Sequence, residues 1–406
     1  MKSEYFSFAL RSIRRRRVRS WLTMIGIFIG IASVVSLIAL GQGVRQAVIG
    51  QFDAMGKDKI IISPGSQLLS SFTSSSYFTD RELSIIQRTG GVKQAAGLIY
   101  MTSSVKHGNE VKYTTVTGLP TEKNDIDFFK TMQNIQIQQG RYLQPGDTNK
   151  ANVGSMFANP KDFFQKPVRI GDKIEINGRE FEVVGIMAPI GNPSDDTSIA
   201  IPLDEARSLF GRKDQLDMII AQANDAEEVD SVASAIKRNL RKYRGLQEGK
   251  EDFSVDTSKQ LMDSFNVILN AVQFVILGIA AISLIVGGIG IMNTMYTSVL
   301  ERTKDIGIMK AVGAKNSDIL LIFLMEAGLL GLAGGAIGLG LGVLLAKLVE
   351  NVAVVAMKTT LLKPQFSLLL IIGSLLFSFF VGVISGLFPA RQAAKMKAAE
   401  SIQFRL

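Results

Sequence analysis

The chain contains no cysteine and a single histidine, His107. Without cysteine there are no disulfide staples and no thiolate metal sites, so a domain exposed outside the cytoplasm must be held by its apolar core alone. One histidine argues against an imidazole-based zinc site or catalytic dyad within the chain, and His107 reads as a satisfied or exposed surface side chain. No G-x-x-x-x-G-K-[ST] phosphate loop occurs in the sequence. Charge is absent throughout Ser264–Leu300, 37 residues without Asp, Glu, Lys or Arg. A run of that length points to lipid rather than to an ordinary buried helix.

Hydrophobic residues make up 47% of the 406, a composition that fits two ordinary domains or a membrane protein with one soluble insertion. Their distribution decides for the second. Trp21–Leu40, Val267–Val299, Ala327–Ala346 and Phe366–Phe388 are each long enough to cross a bilayer, which takes about 20 apolar residues. The formal charge of +9 raises the possibility of nucleic acid, yet residues 41–264 hold 27 Lys+Arg against 29 Asp+Glu. The basic surplus sits on the membrane flanks. Fifteen basic residues lie before Trp21, between Glu301 and Asn316, and after Phe388, against three in Lys347–Gln365. This asymmetry assigns both termini and the Glu301 loop to the cytoplasm, and residues 41–264 to the outside. The first apolar run exceeds a signal-peptide core and leaves through Gly41-Gln42-Gly43 without a cleavage pattern, so it is expected to remain as an anchor.

Residues 1–20 read as an amphipathic interfacial segment or as a basic tail. The outer segment alternates strand and helix signals: Lys59–Ser63 as a buried strand, Asp80–Arg88 as a helix capped by Asp80, Gly97–Lys106 extended, and Ala226–Tyr243 as an amphipathic helix. Pro145-Gly146 marks a turn, and Gly65–Ser76 a mobile loop. From Asp172 to Ile186, Ile174, Ile176, Phe181 and Val183 share a face about Asn177-Gly178, a hairpin signature. The expected class is a helical membrane protein with four transmembrane helices and an α+β extracytoplasmic domain, in two subdomains, between helices 1 and 2. The second helix outruns the hydrocarbon core and is expected to project as a stalk.

Glycines recur at Gly287, Gly288 and Gly290, and at Gly331, Gly334, Gly335, Gly338, Gly340 and Gly342. Such spacing lets helices approach closely in lipid, as a tight bundle or a dimer seam. Glu326 reads as a shallow, snorkelled acid at the start of the third span. Asp195-Asp196 admits a cation site, although adjacent loop carboxylates more often face water, and Met292 and Met295 read as bundle packing. Most informative is Glu301–Ala314, which mixes both charge signs with Ile306, Ile308, Met309 and Val312 and stops at Gly313. It is either a plain connector or a docking element with apolar knobs and register-setting charges.

The segment ERTKDIGIMKAVGA resembles the coupling helix of MacB-type, FtsX-like and LolCE permeases, the type VII ABC transporters. RRRRVRSWLTMIGIFIGIASVVSLIALGQG, VRIGDKIEINGREFEVVGIM and FPARQAAKMKAAESIQF match the same family in the same order. The resemblance implies an ATPase-docking helix formed by Glu301, Arg302, Thr303, Lys304, Asp305, Ile306, Gly307, Ile308, Met309, Lys310, Ala311 and Gly313. It implies an outer domain with a Porter-like part and a Sabre-like part at about 109–199. It also implies two copies of a cytoplasmic ATPase and a second permease protomer, with membrane lipid around them and an extracytoplasmic adaptor or substrate-binding protein as a further candidate partner. With no phosphate loop and 20 residues before the first helix, ATP and Mg are expected on a separate polypeptide; this chain is expected to carry no cofactor, metal or catalytic residue and to bind no nucleic acid.

The expected order is a cytoplasmic basic segment (1–20), helix 1 (21–44), the outer domain (45–262), helix 2 with its stalk (263–300), the coupling helix (301–316), helix 3 (317–347), an outer loop (348–365), helix 4 (366–389) and a cytoplasmic tail (390–406). The expected function is the permease subunit of an export or mechanotransmission complex in the cell membrane, moving a lipophilic or peptide substrate. An FtsX-like transmitter controlling a cell-wall hydrolase, or a receptor without an ATPase, are the alternatives.

Overall fold

The computed structural model describes residues 17–65, 76–133 and 136–397. The interfacial segment expected before the first helix lies outside these up to residue 16, and the loop at Gly65–Ser76 lies outside them for residues 66–75. The chain divides into two compact units. One runs to Arg45 and takes in Ile268–Ala353 and the chain from Leu362 on; the other comprises Gln46–Val267 and Val354–Leu361.

Helix α1 (Arg17–Met55) runs past the apolar stretch that would lie in lipid. There follow β1 (Lys59–Pro64), α2 (Asp80–Gln87), β2 (Val92–His107), β3 (Glu110–Leu119), α3 (Lys123–Gln133), β4 (Ile137–Gly140), β5 (Lys150–Val153), β6 (Lys173–Ile176), β7 (Arg179–Met187), α4 (Pro193–Asp196), β8 (Ile199–Pro202), α5 (Leu203–Phe210), β9 (Met218–Ala223), α6 (Val229–Arg244) and β10 (Phe253–Thr257). The antiparallel order β10-β1-β9-β2 makes one sheet. Its Ile60, Ile62, Ile219 and Phe253 pack with Ile86 of α2 and Ile236 and Leu240 of α6. Thr79, not Asp80, caps α2: the Glu82 amide donates to the Thr79 hydroxyl, and the Thr79 amide to the Glu82 carboxylate at 2.7 Å. The reciprocal pair needs a hydroxyl three residues before the glutamate, which places Asp80 inside the first turn.

Strand β2 is long enough to serve a second core. Beyond Leu98 it pairs with β3, and the succession β2-β3-β8-β5-β7-β6 returns to β2 through Val105↔Ile176, closing a ring of six strands. Ile174, Ile176, Phe181 and Val183 are all buried inside it with Val116 and Phe157, as the hairpin pattern predicts. Asn177 and Gly178 both take positive φ, 47° and 84°, the backbone that a two-residue turn of this twist demands. The two expected subdomains are thus two cores sharing one strand.

Residues Val354–Leu361 belong to the same unit. Lys358 pairs with Asp162, the Thr359 hydroxyl donates to the Gly191 carbonyl at 2.9 Å, and the Thr360 amide donates to it at 3.0 Å. Asp196 does not face water: it is 4% exposed and accepts from the amides of Ile190 and Gly191 at 2.7 and 2.9 Å. Two backbone donors on one loop fix it there, and the carboxylate holds the loop that receives Thr359 and Thr360. The Lys358 ammonium holds the Asp162 carboxyl below the usual carboxylate range, so this pair persists at neutral pH and is lost as pH falls through that lowered value. Asp162→Asn is expected to raise amide exchange at 357–361 about two- to fivefold at neutral pH, the scale of a partly exposed ion pair. Hydrogen exchange in the intact chain measures this directly.

Helix α7 (Ser258–Glu301) opens on a second reciprocal cap, between Thr257 and Gln260, and is followed by α8 (Thr303–Ala311), α9 (Asn316–Ala356) and α10 (Leu368–Lys395). Helices α1, α7, α9 and α10 are long and apolar enough to cross a membrane. Their outer faces expose Phe274, Ile282, Leu369 and Ile384, as a lipid-facing surface must. The glycines serve contacts inside this one chain. A Cβ on Gly287 would lie 2.6 Å from the Ile27 amide nitrogen, one on Gly338 2.8 Å from the Phe28 carbonyl, and one on Gly288 2.7 Å from the Ser385 hydroxyl. Gly331 and Gly335 meet Ser378 on α10, Gly342 meets α1 at Ala32, Gly334 is buried and Gly290 half-buried, while Gly340 meets nothing within 4 Å. Gly331→Val is therefore expected to destabilise the bundle by about 1–3 kcal/mol, read as thermal unfolding in detergent, with Gly340→Val unchanged. Met295 is fully buried, and Met292 lines an apolar groove among α1, α7 and α10; both are packing residues.

Candidate functional site

The α7 helix ends at Glu301 because Arg302 leaves helical geometry, with φ −105° and ψ 16°. The Thr303 hydroxyl then donates back to the Leu300 carbonyl at 2.8 Å, tying the new helix to the old. At the far end Gly313 takes φ +103°, the left-handed stop read from the sequence.

Helix α8 has two unlike faces. Inward, Thr303, Ile306 and Gly307 are buried, and Ile306 joins Val299, Ile319 and Phe323 in the bundle core. Outward, Glu301, Lys304, Asp305, Ile308, Ala311, Val312 and Gly313 are exposed. Ile308 is 50% and Val312 86% exposed, one turn apart on the same stripe as Lys304. An apolar pair at that spacing with charges beside it fits a groove in a partner.

Arg302, Met309 and Lys310 lie at the margins and are half-buried. Arg302 reaches Glu326 of α9 at 3.1 Å, with the carboxylate residue 5% exposed. The expected snorkelled acid is thus a buried, paired one. The start of α9 packs under α8, and a carboxylate there is tolerated in an apolar setting when paired. Lys310 donates to the carbonyls of Ala394 and Met396 at the end of α10, the first at 2.6 Å. An ammonium there satisfies carbonyls the helix leaves open and matches its negative end.

Of the residues singled out in the sequence, those of Glu301–Gly313 come together on α8 and the turns at its two ends, while the other glycines lie elsewhere in the bundle. Val312, read in the sequence as one of the segment's apolar residues but outside the set that the resemblance implies, is its most exposed apolar side chain; the Lys310 contact, 84 residues away in sequence, had no local signal. His107 departs from expectation: its Nδ1 is buried without a hydrogen-bond partner among the described residues, and its ring lies 5.6 Å from that of Phe164. The side chain is half-buried, with the Phe164 ring beside it.

Residues 20–239 match the MacB-like periplasmic core domain, and residues 277–398 the FtsX-like permease C-terminal region. An uncharacterized ABC transporter permease of Methanocaldococcus jannaschii is 38% identical over 401 residues, 98% of this chain and 98% of its own. The uncharacterized ABC transporter permease YknZ of Bacillus subtilis is 30% identical over 409 residues, 99% of each chain. The macrolide export ATP-binding/permease protein MacB of Bdellovibrio bacteriovorus is 29% identical over 420 residues, 99% of this chain and 62% of its own.

Proposed function

This chain belongs to the MacB- and FtsX-like family of ABC transporter permeases, and on that premise we propose that it is the non-catalytic membrane subunit of an export or mechanotransmission complex, driven by a separate cytosolic ATPase that grips α8. The observation that carries this reading is the exposed Ile308–Val312 stripe beside Lys304 and Asp305, on a helix fastened to both α9 and α10. A push on such a helix reaches the bundle rather than a slack loop. Charge asymmetry supports an α8 on the cytosolic side, both termini with it, and the strand-rich unit outside. Residues 1–406 hold no phosphate loop, so ATP and Mg are placed outside them in the proposed complex. Two ATPase copies and a second permease protomer complete the proposed complex, and a lipophilic or peptide substrate its cargo.

Because the chain has no cysteine, single introduced thiols report sidedness cleanly. Lys173→Cys, on the exposed end of β6, is expected to react with an impermeant maleimide in intact cells, and Lys304→Cys only after the cytosol is opened. Reaction of both from outside would overturn the proposal. Capture of a cell-wall hydrolase, with no substrate movement, would instead favour the transmitter function over export.

A further inference from the structure

Phe129, Tyr142, Leu143, Asn152, Met187 and Ala200 help to line a cavity of about 40 Å³ beneath α3. Its one buried amide is out of keeping with the rest. Ala151 and Val153 of β5 point into the closed ring of strands, so strand alternation turns Asn152 to the opposite face, toward α3. Asn152 is 3% exposed. Its Nδ2 donates to the Arg141 carbonyl at 3.1 Å, which sets the amide's orientation, and its Oδ1 has no donor among the described residues. A buried acceptor left unmatched is costly, whereas an apolar side chain of the same size would suit these walls. At the margin, Lys130 places its ammonium 4.4 Å from the centre of the Tyr142 ring, a polar rim over an apolar pocket.

We propose that this cavity is a binding site for a short alkyl group carrying a hydroxyl, with the hydroxyl donating to Asn152 Oδ1 and the alkyl part against Leu143, Met187 and Ala200. The size sets the class: at roughly 10–15 Å³ for each water-sized probe, the space takes about three non-hydrogen atoms. The site lies within the strand-rich unit and is independent of the coupling reading.

The test uses the full chain in nanodiscs with 13C-methyl methionine, the Met187 signal assigned by Met187→Leu, and two probes of identical composition, ethanol and dimethyl ether. Only ethanol can donate. Ethanol is expected to shift the Met187 methyl saturably, dimethyl ether to bind at least about tenfold more weakly, and Asn152→Leu to abolish the difference while the other methionine signals stay in place. Equal binding of the two isomers, or no saturable shift with ethanol, would overturn the site and leave Asn152 a turn-pinning residue only. Should Asn152→Leu not fold, the comparison of isomers on the unaltered chain decides alone.

Discussion

Replacing Ile308 and Val312 together by aspartate is expected to abolish capture of the ATPase and stimulation of its turnover, with the chain still inserted and folded. Both side chains are exposed in the single chain, at 50% and 86%, and neither belongs to the bundle core, so the substitutions disturb little internal packing. On docking, each apolar group of this size contributes about 1.5–3 kcal/mol when covered. Losing two, and desolvating two carboxylates instead, amounts to at least about a hundredfold in affinity. Lys304→Glu, at the rim of the stripe, is expected to do less and to depend on salt, since rim charges act chiefly on encounter. Pull-down and ATPase assays in nanodiscs measure both; full stimulation in the double variant would remove α8 as the docking element.

Arg302→Ala should be the more damaging change to the fold itself. It removes an ion-pair partner of Glu326, a carboxylate 5% exposed in the apolar bundle, and breaking a buried pair from one side costs up to about 3–5 kcal/mol. The paired replacement Arg302→Met with Glu326→Leu is expected to recover most of that loss, because two apolar groups can fill the space two opposed charges held. Thermal unfolding of the two single variants and the double in detergent gives the cycle; a double variant as unstable as Arg302→Ala would show that the pair is not the source. The consequence for coupling experiments is direct. Charge reversal at Arg302 would perturb folding along with docking, whereas Lys304, Ile308 and Val312 separate the two.

Local patterns were readable where local physics sufficed. Asn177-Gly178 announces its hairpin because both residues tolerate the positive φ they adopt, and the three successive isoleucines of β1 announce a strand covered on both faces. The four spans are readable because lipid admits so few alternatives. What stayed hidden depends on distant partners. The ring of strands closes through Val105↔Ile176, and neither residue carries a mark of the other. Glu326 looks like any shallow acid until Arg302 is seen beside it, and Asp196 like any loop carboxylate until the amides of Ile190 and Gly191 turn toward it. For α8, the residues were legible but their division into inner and outer faces was not, since a mixed segment of this length fits several rotations about its axis.

Strand β2 leaves the β10-β1-β9-β2 sheet at the rung where Leu98 stands opposite Met218, so everything between them departs and returns at neighbouring points. The six-strand ring is in that sense a cassette spliced into one hairpin. Exchanging it for another would keep the host sheet's own core, provided substitutes for Ile99 and Leu216, which are buried there, and for Leu203 and Phe210, which pack against it, came with it. Because the entry and the exit lie on adjacent strands, the cassette can be replaced without recutting the host sheet, and its two cut sites stand side by side.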